Sequence, residues 1–509
     1  MADGQAPGRG FAWAGAVNLI GGVIGSGVTL VLAAVVGQHL GTRGAGTYFL
    51  VVAVFMIVSN VAELGADTGL VRFVSSARAT GRDGEIRWLI RTAVAPVLLI
   101  GLGVVAVAGV VVRARPELFP ELSPSFIVVA AIVAVLSSLM AVVLAVVRGF
   151  GDVVAYPLLQ NGTVPLLRLG GIAAVLVAGH GVTGVLAAWL APVPIGLLAA
   201  SIVAARLLHG ASTDRTPLPS ARRAVVSREF WTFSATRGVA AGVEILLEWA
   251  DVLIVGALTS TTAAGIYAVA TRCARGGDVV QQAARIAIGP VISAALARDE
   301  RDTVRDLYGL VTAAMIWVAW PFYLVLAIFG SSFLAIFGPG FADGAVALAI
   351  LAIAMAVATA AGAVQTILLM GGRGTWQLAD KAGVLVLNVV LDFVLVPIWG
   401  IRGAAVAWAV VILVDTALAV WQVQGLMGLR PRGRHIPDAA AVAVAAAGVP
   451  LLVSRLVLGS SMTVLLGTLA VVVPFYLVVG WVLRVRLGLE ELVHQRGAAG
   501  PVVRAARRD

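Results

Sequence analysis

Hydrophobic positions in this chain come in long unbroken runs. They show neither the alternation of a half-buried strand nor the one-sided stripe of a soluble helix. Spans of about 20 apolar residues match the hydrocarbon thickness of a bilayer, and by that ruler about fourteen of them follow one another. The first six cover residues 11–37, 46–74, 89–112, 125–147, 158–178 and 182–207. Six more cover 230–258, 262–296, 307–330, 345–370, 377–399 and 402–427, and the last two 436–457 and 462–487. The pattern predicts an all-α polytopic membrane protein.

The connections between runs test this count, because basic residues accumulate on the cytoplasmic side of a membrane. One side holds Arg9, then Arg72, Arg78, Arg82, Arg87 and Arg91, then Arg148, then Arg206, Arg215, Arg222, Arg223 and Arg228. It continues with Arg298, Arg301 and Arg305, with Arg373, with Arg430, Arg432 and Arg434, and with the arginines from Arg484 to Arg508. The opposite side holds only Arg43, Arg113, Arg115, Arg402 and Arg455. Both termini are therefore expected in the cytoplasm, with the first run retained as an anchor.

Composition agrees. A 509-residue chain with 60% hydrophobic and 12% charged residues and a mean hydropathy of +1.01 lies far from the globular average. The net charge of +10 is spread between apolar runs and forms no basic domain, so no nucleic-acid partner is expected. The single cysteine, Cys273, excludes an intrachain disulfide framework and reads as packing. There is no phosphate-binding G-x-x-x-x-G-K-[ST] loop, the five histidines show no metal-ligand spacing, and no soluble segment is large enough to house a catalytic site. No enzyme activity and no resident cofactor are expected.

The most informative run is the seventh, FWTFSATRGVAAGVEILLEWADVLIVGALTS from Phe230, which carries Arg237, Glu244, Glu248 and Asp251. At about 100° per residue these fall within roughly 60° of one another, forming one charged stripe on an apolar helix. Each such charge at mid-membrane costs about 2.5–3.5 kcal/mol, so the stripe must face partners or a water-filled cavity. The eighth run adds Arg272, Arg275, Asp278 and Arg285. Guanidinium groups offer phosphate a planar fork of donors and a permanent charge. Two readings of Arg237, Arg272 and Arg275 stand side by side: contact with a phosphate-bearing cargo, or neutralisation of the nearby carboxylates.

In the second run Asn60, Glu63 and Asp67 share a face and are placed to oppose the 244/248/251 cluster. Clustered carboxylates in a low dielectric suit protonation coupled to movement, so the expected coupling ion is H+ or Na+. For Asp67 the other reading is a helix-end residue paired with Arg72. Asn161 and Arg168 share a face of the fifth run, and Asn388 and Asp392 one of the eleventh; each pair is either cavity lining or interhelical glue. Tyr48 and Tyr267 read as interfacial aromatics.

The chain also repeats itself. GQHLGTRGAGTY, with Gly37, Gly46 and Tyr48, matches GALTSTTAAGIY, with Gly256, Gly265 and Tyr267. The interval, 219 residues from Gly46 to Gly265, also brings Gly181, Gly184 and Trp189 onto Gly400, Gly403 and Trp408. Duplication of a six-helix unit follows, with the copies in the same membrane orientation. The expected organisation is an N-terminal lobe at 1–208, a cytoplasmic linker at 209–229, and a second lobe at 230–427. Two additional helices at 428–487 and a basic tail at 488–509 complete it.

These stretches, in order with ELGADTGLVRF (from Glu63), EWADVLIVGALTSTTAAGIYAVATR (from Glu248), GPVISAAL (from Gly289), FGPGFADGAVALAILA (from Phe337) and LNVVLDFVLVPIWGIRGAAVAW (from Leu387), carry a resemblance. The chain resembles the polysaccharide flippases, including the Wzx-type O-antigen flippases, of the multidrug/oligosaccharidyl-lipid/polysaccharide exporter superfamily. The resemblance implies two six-helix lobes around a central cavity that opens alternately to the two membrane faces. It also implies a lipid-linked saccharide as cargo, membrane lipids as surroundings, and polysaccharide polymerase or glycosyltransferases as partners. One departure stands out: a net cationic cavity suits such cargo, yet the embedded acids (Glu63, Asp67, Glu244, Glu248, Asp251, Asp278, Asp392, Asp415) outnumber Arg168, Arg237, Arg272, Arg275, Arg285 and Lys381. A cation-coupled drug exporter and a non-transporting membrane scaffold for glycan assembly therefore remain alternatives. Lys381 is the single lysine, which with the Ala/Val/Gly richness points to a high-GC bacterium and its plasma membrane.

Overall fold

The computed structural model describes residues 7–114, 121–152, 154–211, 218–488 and 490, and side chains from residue 25 onward except 26 and 211. The expected basic tail, apart from 488 and 490, lies outside the described residues, as do Arg115, Arg215 and the side chain of Arg9. The described residues form helices and no strand.

Fourteen helical segments follow one another among the described residues. They are α1 (7–40), α2 (42–79), α3 (Ile86–Ala114), α4 (Pro124–Gly149), α5 (157–177), α6 (182–211) and α7 (Ser220–Leu258). Then come α8 (261–297), α9 (Arg301–Ala335), α10 (341–370), α11 (Gly374–Trp399), α12 (401–426), α13 (435–458) and α14 (Met462–Val482). Eleven stretches among the described residues are long and apolar enough to span a membrane. One of them, Gly27–Ala79, contains both the end of α1 and all of α2. Two segments stand outside that set for physical reasons: α5 begins with a π-helical turn, Pro157–Thr163, and α7 carries its row of charges.

The chain packs as two compact units, Met1–Gly265 and Ile266–Asp509. In the first, the division of α1 from α2 falls at Gly41, whose φ of 66° only glycine adopts without cost. The core joins the second half of α2 to α3, α4 and α7 through Leu70, Leu89, Ala93, Val146, Val226 and Phe230. The seventh helix, which the repeat assigns to the second lobe, thus packs in the first unit. Its amphipathic first turns explain this: Arg222 donates to Glu85 at 2.8 Å, and Trp88 Nε1 donates to Ser227 Oγ at 2.9 Å.

The repeat leaves a mark in this unit. A Cβ on Gly46 would collide with the carbonyl of Thr261, and a Cβ on Gly265 with the carbonyl of Thr42. Residues 42 and 261, like 46 and 265, are separated by the repeat interval, so the two contacts are reciprocal. Small residues are required where the two backbones touch. The same tight packing corrects the reading of the tyrosines: Tyr48 and Tyr267 are 3% and 0% exposed, so they fill the protein interior and are not interfacial.

In the second unit, α9 is the central post. Tyr308, Val311 and Met315 pack on Ile367 and Leu368 of α10 and Val423 of α12. Its other flank receives α13 and α14, where Tyr476 donates to the Trp317 carbonyl at 2.8 Å and stacks on its ring with centroids 5.7 Å apart. The two helices beyond the repeat are thereby fastened to the second unit.

A second close backbone contact in the first unit is between α2 and α7. Gly65 has φ 72°, and a Cβ there would strike the backbone of Ser234 and Gly238; a Cβ on Gly238 would strike Leu64 and Gly65. Left-handed geometry alone costs a non-glycine residue about 1–2 kcal/mol. Gly65→Ala and Gly238→Ala are expected to lower the melting temperature in detergent by several degrees. Gly242→Ala, on the same helix with nothing within 4 Å of its new Cβ, is expected to leave it unchanged or raise it.

Candidate functional site

The break in α2 places the candidate site. Leu64 (φ 51°) and Gly65 both adopt left-handed backbone, interrupting the helix between Glu63 and Ala66 in the middle of an apolar span. Broken helices in membranes occur where the freed backbone lines a cavity or is buried in protein. Here α7 covers the break at Ser234 and Gly238, and the polar residues on either side are Asn60, Glu63 and Asp67.

Glu63 and Asp67 are both half-buried. Asp67 faces Arg148 of α4, with Nη2 to Oδ2 at 3.8 Å, and the guanidinium of Arg148 lies 4.3 Å above the ring of Tyr156. Glu63 is in electrostatic reach of both Asp67 and Arg148. The Asn60 Oδ1 is buried and has no hydrogen-bond partner among the described residues. Asp67 faces Arg148 and Glu63 stands beside them, two carboxylates to one guanidinium, so one proton or one small cation would balance the group.

The alternative pairing of Asp67 with Arg72 does not occur. Arg72, five residues on, turns to α7 and lies 4.4 Å above the ring of Phe233. The expected opposition of Glu63 to Glu244, Glu248 and Asp251 is not seen either, because α7 meets the break at Gly238. Asp251 lies thirteen residues further along the helix, about 20 Å at 1.5 Å per residue. It is 1% exposed and accepts from the Val252 amide at 2.8 Å, whereas Glu244 is exposed and Glu248 half-buried.

Beside the break, towards the start of α7, opens a pocket of about 620 Å³. Arg72, Arg228 and Arg237 line it with a single carboxylate, Glu229, together with Phe73, Phe233, Thr232 and Thr236. The lining is net positive. Arg237 is exposed and makes no ion pair among the described residues. The Phe233 ring supports the Arg72 guanidinium while its donors stay available. Such a set of forks suits a polyanion of phosphate size.

The other expected binding residues are placed apart. Arg168 is held inside the first unit, donating from Nε to the Trp189 carbonyl at 3.0 Å and lying 4.0 Å above that indole. Trp189 in turn meets Phe55 edge-on at 4.9 Å. Asn161 sits half-buried in the π-helical turn that opens α5. Arg272, buried, and Arg275, half-buried, belong to the second unit, just before α8 bends at Gly276–Gly277. Asp278 and Arg285 are exposed beyond that bend.

The second unit contains a polar network, of which spacing singled out only the pair Asn388 and Asp392. Lys381 of α11 donates to Asp415 of α12 at 2.7 Å, Gln365 of α10 donates to the same carboxylate at 3.2 Å, and Gln377 donates to Gln365 at 2.8 Å. Nearby Gln422 donates to Asp380 at 2.7 Å, and Asn388 to Asp392 at 3.3 Å. The four-residue step from Gln377 to Lys381 and the seven-residue step from Asp415 to Gln422 were the available signals.

The family described as Polysaccharide biosynthesis protein matches residues 12–296, more than half of the chain. The chain belongs to that family. A curated relative, the probable flippase AglR of Haloferax volcanii strain DS2, is 29% identical over 207 residues, covering 38% of this chain and 43% of the relative. The matched region thus spans less than half of that relative's length. Among solved structures, the inward closed conformation of the lipid II flippase MurJ superposes with a TM-score of 0.69 at 11% identity, covering 93% of this chain and 98% of that one. An inward-facing multidrug resistance MATE family transporter of the MOP superfamily gives 0.61 at 15% identity, covering 79% and 94%. At these identities the likeness shows a shared fold.

Removing one partner of a buried ion pair strands the other, at about 3–5 kcal/mol, whereas replacing both by apolar groups is close to neutral. Lys381→Met and Asp415→Leu are each expected to lower the unfolding temperature markedly, and the double variant to recover most of the loss. Asp67→Asn is expected to shift it little, because its long, part-exposed contact to Arg148 belongs with pairs worth about 1 kcal/mol or less. Thermal unfolding in one detergent measures all four.

Proposed function

We propose that this protein is a flippase. It carries a saccharide linked to an isoprenoid pyrophosphate across the bacterial plasma membrane, from the cytoplasmic to the outer leaflet, by alternating access. Both termini lie in the cytoplasm on this reading, and the protein itself hydrolyses nothing. The observation that carries the proposal is the net-positive pocket of Arg72, Arg228 and Arg237, which resolves locally the acidic excess counted along the sequence.

The pyrophosphate docks at Arg237 and its neighbours first, since the positive-inside distribution puts that end of α2 and α7 at the cytoplasmic face. Arg272 and Arg275 contact the cargo as well. Arg168, engaged by Trp189, and Asn161 in the π-helical turn shape the wall. The lipid-linked saccharide and membrane lipids are the direct partners, and a polysaccharide polymerase or glycosyltransferases act before or after.

The Glu63–Asp67–Arg148 group at the broken helix supplies the coupling. Taking up H+ or Na+ balances the second carboxylate, and release restores the charge that pulls on Arg148. Glu244, Glu248 and Asp251 extend the polar face along α7. A second reading, a cation-coupled drug exporter, is favoured by the same carboxylates and by the fold shared with multidrug transporters.

Two substitutions separate the readings. In cells lacking the protein, lipid-linked oligosaccharide is expected to accumulate in the cytoplasmic leaflet, wild type to clear it, and Arg237→Ala to fail while still reaching the membrane. An unchanged leaflet distribution, with redundant flippases removed, overturns the proposal. Loss of efflux of small cationic drugs in Asp251→Asn or Glu248→Gln, with glycan export intact, supports the exporter.

A further inference from the structure

A second cavity in the first unit has no part in the account so far. It lies between α2, α3 and α4 and encloses about 600 Å³. Every residue lining it is apolar; Val54 and Phe55 of α2, Gly103 and Val107 of α3, and Ala130 and Ala131 of α4 mark its walls. Small residues, Gly103 and Ala108 of α3 and Ala130, Ala131 and Ala134 of α4, contribute to its walls. A Cβ on Gly103 would meet nothing within 4 Å.

An apolar cavity with no polar partner does not hold water. Left empty, its walls would forfeit dispersion contacts. In a bilayer, hydrocarbon is the neighbouring solvent and fills it. The volume is that of one chain-like ligand, within the range of small-molecule pockets.

Charge at one end selects the ligand. The slot runs to Val112 and Leu122, and Arg113 follows immediately in the last turn of α3, exposed and without an ion-pair partner among the described residues. On the other flank of that end, Arg43 pairs with Glu121 at 2.7 Å, and Thr47 donates to the same carboxylate at 2.7 Å. Glu121 is therefore paired, and among the described residues Arg113 is the charge at the rim without an ion-pair partner.

We propose that this slot is a binding site for an anionic phospholipid, holding one acyl chain between α2, α3 and α4 with the phosphate at Arg113. By the arginine distribution that end faces the outer leaflet, so this inference rests on the orientation given above and not on the identity of the cargo. Hydrophobic burial supplies no net drive within a membrane, because lipid tails are as apolar as the slot. Shape holds the chain; discrimination among lipids comes from the headgroup, and one arginine near the surface supports about a fivefold preference for a net-negative over a zwitterionic lipid.

The test uses the full chain in mixed micelles with phosphatidylglycerol carrying a photoreactive acyl chain, and maps the adducts by mass spectrometry. Adducts are expected on α3 and α4 around Val107 and Ala131, competed about fivefold better by phosphatidylglycerol than by phosphatidylcholine. Gly103→Leu, which fills the slot at a position with room for it, is expected to remove them at unchanged melting temperature. Arg113→Gln is expected to keep the adducts and lose the headgroup preference. Should Gly103→Leu fail to fold, Ala131→Leu fills the same slot from α4. Adducts that persist in a folded filled variant, or that spread evenly over all helices, overturn the proposal. So does displacement by a polyisoprenyl phosphate in preference to phosphatidylglycerol, which assigns the slot to the carrier tail. Because no cargo is needed, a negative result here leaves the flippase reading standing, and failure of that reading leaves this site untouched.

Discussion

The backbone contact between Gly65 and Gly238 is the constraint on which the first unit depends. Two helices approach so closely there that neither tolerates a Cβ, and α2 meets the requirement by breaking into left-handed backbone at Leu64 and Gly65. The consequences run in both directions along the pair. Below the contact, Phe230 enters the core with Leu70, and Arg237 comes to share a pocket with Arg72 and Arg228. Beside it, Glu63 and Asp67 are held at the break with Arg148. A cationic pocket and an acidic hinge thus become neighbours through one glycine contact.

That juxtaposition answers a difficulty in the chain as a whole. Charges embedded in a membrane must be paired, hydrated or neutralised. The structure gives several of them partners: Lys381 pairs with Asp415, Arg168 rests on Trp189, and Asp67 faces Arg148. Once these are set aside, the counted excess of acids says little about the pocket that a cargo would meet. Around Arg237 the sign is positive.

The order of helical runs was legible in the sequence, because in a bilayer a helix is announced largely by length and apolarity; the break at Leu64 and Gly65 was not. The repeat was legible as well, and the reciprocal contacts of Thr42 with Gly265 and Gly46 with Thr261 give it a physical meaning. What could not be read was pairing. Asp67 has a cation five residues away in Arg72 and another, eighty-one residues away, in Arg148; only folding decides that the distant one is used. Nor does an apolar run reveal which side of α7 faces α2, so the stripe of Arg237, Glu244, Glu248 and Asp251 seemed one site although it spans about 20 Å of helix. Gln365, Gln377 and Gln422 were overlooked because a neutral side chain interrupts hydropathy only slightly, yet they complete the network around Asp415 and Asp380.

The most direct test of the central claim is translocation by the purified protein in liposomes. Lipid-linked oligosaccharide is placed in one leaflet and its appearance in the other is followed with a membrane-impermeant lectin or glycosidase. Wild type is expected to move the lipid well above the protein-free rate, and Arg237→Ala to return it to that rate while remaining folded and inserted. Equal rates for wild type and Arg237→Ala would contradict the assignment of the pocket. A wild-type rate no greater than empty liposomes, in an imposed gradient of either H+ or Na+, would contradict flipping itself.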